Sequence, residues 1–317
     1  MKPSCSLVDT PDLTFVGGFR SGSTLLINLL GLHPDVSTWY ETKCLCEPLR
    51  WMKIVHGNAS LAFETEVAAP AEGPRGFSAA AVAARMRMDM EQTAARISGH
   101  LNNGKAPHER YPLGADLVGY ALEDAFNCAG LWQRDVERTG PEGLSCATGN
   151  LIESLSRLHR ASLPGRCLVN KTPEIPRFGV ELRACLGSSP TINLIRDGRE
   201  VAASAASLLW GDFPQMAEFW LKLILESRAA ADPEKYLEVR YEDLVSFPAA
   251  TLNGICRFLK LEPLGSRIVA SYEQQSGVSI SPSSRVSSCT KHQLKQNLSD
   301  EVQKMLAELG YLKSVVN

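Results

Sequence analysis

The stretch Leu13-Thr-Phe-Val-Gly-Gly-Phe-Arg-Ser-Gly-Ser-Thr24 constrains the fold more than any other part of the chain. Leu13 to Val16 is a short apolar run of the kind that forms a buried strand, and Gly17-Gly18 ends it. Apolar residues then recur with a helical period from Leu25 to Leu32, and Gly31 to Pro34 closes that helix. A strand, a glycine turn and a helix, in that order, make the first half of a crossover in a parallel sheet. Such a turn aims backbone N–H groups and the positive end of a helix at one point, which suits an anion. Gly17 and Gly22 flank four residues and are followed by Ser23-Thr24, the spacing of a nucleotide-binding phosphate loop. Ser23, however, stands where that loop carries its lysine.

A second part of the nucleotide triphosphate machinery is also missing. The most apolar later strand, Thr191-Ile-Asn-Leu-Ile195, ends in Arg196 before Asp197 arrives, where an acid would hold magnesium. A basic residue there calls for another anionic group and no metal. The ligand expected from these two sites has two separated phosphates and no γ-phosphate. Gly18, Phe19, Arg20, Ser21, Gly22, Ser23 and Thr24 form the first site, and Arg196 stands at the second.

The rest of the chain supplies the α/β rhythm. Helices are expected over 46–55, 78–100, near 117–127 and 147–162, then over 198–209, 214–230, 247–259 and 300–309. Strands are expected over 167–169, 191–195 and 236–239. Residues 57–76, rich in Gly, Ala, Pro and Glu, read as an exposed loop. The fold class is therefore α/β: one P-loop-like, three-layer domain over 1–317 with a central parallel sheet. Residues 57–145 read as a helical insertion or acceptor-side lid. A length of 317 residues and 44% hydrophobic content suit a sizeable core, and a net charge of −2 argues against general nucleic-acid binding. No apolar run approaches the roughly 18–20 residues that span a bilayer, and the N-terminal residues show no signal-peptide pattern, so a cytoplasmic location is expected. The nine cysteines show no metal-ligand spacing and read as reduced thiols.

Taken together, Gly18-Phe-Arg-Ser-Gly-Ser-Thr24 with His33-Pro34, Ile195-Arg-Asp-Gly-Arg199 with Ser204, and Arg240-Tyr-Glu-Asp-Leu244 resemble the sulfotransferases that use 3′-phosphoadenosine-5′-phosphosulfate (PAPS). The resemblance runs from residue 13 to about residue 260. It implies that the Arg20–Thr24 loop holds the 5′-phosphosulfate and that Arg196 with Ser204 holds the 3′-phosphate. Adenosine 3′,5′-bisphosphate would be the product, and no metal is implied. The pattern is most similar to tyrosylprotein and carbohydrate sulfotransferases. Phenol and steroid enzymes carry a lysine at the place of Arg20 and a histidine two residues after a Lys-Thr; here Lys171-Thr172 is followed by Pro173. Asn170-Lys171-Thr172-Pro173 resembles instead the Asn-Lys-Asp-Pro of tyrosylprotein enzymes.

Sulfonate transfer to a hydroxyl requires a base and cations that meet the charge building on the leaving phosphate. Counted from His33, Glu41 falls where the tyrosylprotein enzymes carry their glutamate. Glu47, in Glu47-Pro48-Leu49, is the rival by similarity to the carbohydrate enzymes. The catalytic set expected is Glu41, Arg20 and Lys171. By resemblance Tyr241 lies near adenine or ribose; a buried sheet-end tyrosine is the other reading. Arg285, Ser288 and Lys291 resemble a basic segment that closes over the nucleotide, with a solvated loop as the alternative. Trp220 reads as core, His33 as the cap of the first helix, and Met86, Met88 and Met90 as packing or surface residues. Two other functions stand beside sulfonation: a P-loop kinase of small hydroxyl compounds and a nucleotide-binding scaffold without catalysis. The acceptor expected is a small molecule, lipid or sugar, with peptide tyrosine as the alternative.

Overall fold

The computed structural model describes residues 13–55, 77–102, 122–160, 165–208, 211–281 and 298–312. In chain order these hold β1 (Leu13–Gly17), α1 (Ser23–Leu30), β2 (Val36–Tyr40), α2 (Cys46–Val55), α3 (Ala79–Asn102), α4 (Leu122–Thr139), α5 (Leu144–Arg160) and β3 (Cys167–Lys171). They continue with α6 (Gly179–Leu186), β4 (Thr191–Ile195), α7 (Gly198–Ala206), α8 (Phe213–Ala229), β5 (Tyr236–Arg240), α9 (Tyr241–Ser246), α10 (Pro248–Phe258), α11 (Gly265–Ser276) and α12 (Asp300–Glu308). The five strands pair in parallel in the order β2-β3-β1-β4-β5.

Alternation along the strands builds the layers, because successive side chains leave opposite faces of a sheet. Phe15, Trp39 and Leu168 enter one core with α2 to α6, whereas Val16, Tyr40 and Val169 enter a second with α1 and α9 to α11. A third core, around Ile195 and Trp220, joins α7, α8 and α12. The sheet thus carries helices on both faces, which is the expected three-layer α/β fold. Trp220 is core, as are Met86 and Met90, while Met88 is exposed.

Four elements were not expected from sequence: β2, α6, α9 and α11. Val36-Ser-Thr-Trp-Tyr40 has the β-branched and aromatic content of a strand, but it is five residues long and sits directly after a helix-ending proline. The expected helix near 117–127 is α4, which the structure describes from Leu122 to Thr139. The stretch 57–76 and the residues Arg285, Ser288 and Lys291 lie outside the described residues. No described helix is long and apolar enough to cross a membrane.

Strand order decides where a ligand can sit. From β1 the chain moves outward to β2, and from β4 it moves the opposite way to β5. The crevice beyond the carboxyl ends of β1 and β4 is therefore the switch point at which open α/β sheets bind ligands.

Candidate functional site

The turn after β1 folds into a closed cradle. Gly18 has φ 122 and Gly22 has φ 90, backbone shapes that a side chain resists. There is no room for one either: a Cβ on Gly18 would lie 2.4 Å from the Leu194 carbonyl oxygen, and one on Gly22 would lie 2.6 Å from the Tyr241 ring. Ser21 Oγ donates to Phe19 O and Ser23 Oγ to Gly18 O, both at 3.1 Å. The two hydroxyls thus brace the loop, and what they leave for an anion is backbone N–H. α1 begins with Gly22 as its cap, has no side-chain cap bond and has no acid in its first turn. By contrast Asp197 caps α7 and Asp212 caps α8. The first N–H groups and the positive end of α1 thus face the crevice without a protein carboxylate. This cradle fits a phosphate-type group.

Register places the remaining residues. β4 pairs with β5 so that Ile195 opposes Arg240, which sets Arg196 opposite Tyr241. The Arg196 guanidinium rests over the Tyr241 ring, 4.7 Å from its centre, and contacts Glu200 Oε2 at 3.3 Å. Tyr241 is buried, at 6% exposure, in contact with Gly22. The ring lies buried at the sheet end, where it supports Arg196. The Arg196 turn is fixed from behind. Asp197 N donates to Glu242, Tyr311 donates to the other oxygen of Glu242, and Arg199 bridges Asp197 and Tyr311 O. Asp197, the acid that a magnesium site would need, is committed to capping α7 and to pairing with Arg199 at 2.6 Å.

Arg20 connects the two halves. Its Nε donates to Ser204 Oγ at 3.0 Å, across 184 residues of sequence. Ser204, expected to share the 3′-phosphate with Arg196, thus reaches from α7 to the Arg20 guanidinium. The Arg20 side chain keeps solvent contact. Burial of its guanidinium foremost, then the charge of Arg196, pushes its pKa below the ordinary value, while Glu41 acts the other way. Two cations held close together gain from an anion between them.

On the far side of the loop, β2 pairs with β3 so that Tyr40 opposes Lys171, and the next residue is Glu41. Glu41 N donates to Lys171 O at 2.6 Å, and Lys171 Nζ donates to Glu41 Oε1 at 2.8 Å. The lysine side chain is 3% exposed and the glutamate 14%. Glu47, the rival, lies on α2 and pairs with Arg50 at 2.9 Å. The structure therefore brings Glu41, and not Glu47, to the lysine. Thr93 of α3 donates to Glu41 O at 3.2 Å, a contact with no signal in the sequence. Glu41, Lys171, Arg20, Ser204 and Arg196 thus converge on one edge of the sheet, together with the loop from Gly18 to Thr24. His33 does not simply cap α1. Its two ring nitrogens contact Glu262 O and Asp35 N, which ties the β2 entry to the segment after α10.

Comparison with known proteins agrees with this geometry. The Sulfotransferase family matches residues 11–264. Among solved structures, the sulfotransferase domain from the Synechococcus PCC 7002 olefin synthase shares 19% identity and a TM-score of 0.53, with 96% of each chain covered. The sulfotransferase domain from the curacin biosynthetic pathway shares 18% (TM-score 0.47; 95% of this chain and 98% of that one). Sulfotransferase STF9 from Mycobacterium avium shares 13% (TM-score 0.49; 96% of this chain and 77% of that one). No curated protein matches the chain in sequence. The family match spans most of the chain and contains every residue of the convergent edge, and on that basis the protein belongs to the sulfotransferase family.

Proposed function

We propose that the protein transfers the sulfonate of PAPS to an acceptor hydroxyl by in-line displacement, with Glu41 as the general base. The observation that carries the reading is the Arg20–Ser204 bond, which joins the loop to the helix that follows Arg196 and supports reading the two as one anion site. PAPS, when bound, supplies the sulfonate and carries off the leaving phosphate. The chain's own residues do the rest. Loop N–H groups from Gly22 to Thr24 hold the 5′ end, and Arg196 with Ser204 holds the 3′-phosphate. Arg20 and Lys171 face the charge that builds on the departing oxygens, where fixed cations in a partly dry site act most strongly. Glu41 Oε accepts the acceptor proton. Its carboxylate stands on the Lys171 side of the loop, away from Arg196, as a base opposite the leaving group must.

The acceptor we assign is a hydroxyl-bearing small molecule, lipid or sugar. α3 touches the Glu41 turn through Thr93, which supports reading 57–145 as the acceptor-side lid. Calorimetry with adenosine 3′,5′-bisphosphate, run against ATP with Mg²⁺, tests the nucleotide. Tight binding of the first alone is expected; preference for ATP with Mg²⁺ would replace sulfonation by phosphoryl transfer. A panel of hydroxyl compounds including peptide tyrosine, incubated with labelled PAPS and read by mass spectrometry, identifies the acceptor.

A further inference from the structure

Glu41 sits in an unusual turn. Its φ of 39 is left-handed, although it is not glycine, and such residues persist only where their surroundings over-determine them. The turn has a geometric purpose. Trp39 faces one core and Tyr40 the other, so an extended residue 41 would return to the Trp39 side. The left-handed turn instead brings the carboxylate to Lys171.

Behind this turn lies a closed ring of hydrogen bonds. Asn170 Nδ2 donates to Thr42 Oγ1 at 2.8 Å, and Thr172 Oγ1 donates to Asn170 Oδ1 at 3.1 Å. The Thr42 and Thr172 hydroxyl oxygens are 3.1 Å apart. Because the Thr172 proton goes to Asn170, that contact runs from the Thr42 hydroxyl to Thr172. Thr42 N also donates to Thr172 Oγ1 at 3.0 Å. Asn170, Thr172 and Thr42 are 0%, 1% and 4% exposed. Polar groups this deep are costly unless paired, and here each hydroxyl both donates and accepts. The ring spans the end of β3 on both sides of Lys171 and the residue directly after Glu41.

We propose that Thr42, Asn170 and Thr172 are positioning residues that hold the Glu41 turn, and so the carboxylate, in line with Lys171. This rests on the reading of Glu41 as the base. The three side chains act through the turn rather than on the reacting atoms.

Thr172→Val tests it. The change keeps the shape but leaves Thr42 N–H, the Thr42 hydroxyl and Asn170 Oδ1 without their partner. A carboxylate displaced by a fraction of an ångström to 1 Å lowers turnover by about 10- to 100-fold. Affinity for adenosine 3′,5′-bisphosphate and the KM for PAPS should stay near wild type, since the loop and Arg196 are untouched. Thr172→Ser, which restores the hydroxyl, should recover most of the turnover. In a Glu41→Gln background Thr172→Val should add nothing further, a coupling that a general loss of stability would not produce. If Thr172→Val does not fold, Thr42→Ala is read in the same way, because it breaks the ring but keeps the backbone donor. Full turnover in a folded ring variant, or a loss that adds to that of Glu41→Gln, overturns the proposal. Undiminished turnover in Glu41→Gln alone would instead remove the base, so the two failures are distinct.

Discussion

Replacing Gly22 by alanine should damage stability and nucleotide binding through a single displacement. Gly22 has φ 90 and ψ 17, in the left-handed region, where a Cβ costs roughly 1–2 kcal/mol. That Cβ would also lie 2.6 and 2.7 Å from two carbons of the Tyr241 ring, so the ring must recede by close to ~1 Å, an overpacking of about 1–3 kcal/mol. Together these give about 2–5 kcal/mol. For a chain of 317 residues the unfolding entropy makes this a fall of about 3–8 °C in thermal midpoint. The ring bears the Arg196 guanidinium at 4.7 Å, so its retreat moves the cation proposed to grip the 3′-phosphate. Loss of one charged hydrogen bond, about 1.5–3 kcal/mol, weakens adenosine 3′,5′-bisphosphate by roughly 10- to 150-fold. Scanning calorimetry and isothermal titration read the two effects. Adding Tyr241→Leu makes room for the methyl group and should return part of the lost stability but none of the affinity, because the support for Arg196 is gone. A Gly22→Ala protein that melts and binds like wild type would refute the idea that the loop leans on Tyr241.

Glu41→Gln should lower kcat by about 10²- to 10⁴-fold, the usual share of a general base, with nucleotide affinity nearly unchanged; single-turnover assays with labelled PAPS check this. Arg196→Ala should weaken adenosine 3′,5′-bisphosphate markedly, and equal affinity by titration would remove its assigned role. His159, buried on Trp39 with Nε2 at 2.8 Å from Thr38 O, has its pKa pushed below the ordinary 6.5, chiefly by burial. The unfolded chain then takes up the proton first, so stability is full above about pH 6.5 and is lost as pH falls toward the depressed folded value. Urea titrations at pH 7.5 and 5.5 should show that loss, and His159→Gln should reduce it.

Much of the sheet could be read from sequence because its strands are short apolar runs bounded by turn residues. Thr191–Ile195 and the helix over 46–55 appear at their expected limits. β2 escaped, and with it the reason Glu41 stands where it does: the pairing of Tyr40 with Lys171 joins residues 131 positions apart and leaves no local trace. The glycine loop was legible because glycine at a strict spacing has few other uses. The ring around Thr42 was not, since threonine and asparagine next to a strand end look like ordinary polar residues until both ends meet. Tyr241 shows the opposite problem. Motif resemblance found the residue, but only the structure shows its packing against Gly22 and Arg196.

The strand order itself gives the site its direction. Along the carboxyl edge, from β2 to β5, stand Glu41, Lys171, the glycine loop, Arg196 and Tyr241, although the chain reaches them in a different sequence. Neighbouring elements are joined pairwise. The ring of Thr42, Asn170 and Thr172 ties β2 to β3. Thr172 N and Gly18 N bond across the ends of β1 and β3, and Arg20 with Ser204 ties the loop to α7. The Glu41 carboxylate therefore lies at one end of a row of cations and the Arg196 guanidinium, stacked on Tyr241 and paired with Glu200, at the other, with backbone donors between. Under the proposed reading, only a ligand with an anion at each end and a transferable group facing β2 can use the whole row. A nucleoside triphosphate clustered on a single loop would leave the Arg196 end idle. On that reading the polarity of the reaction is built from strand register, and the bonds across that edge keep it.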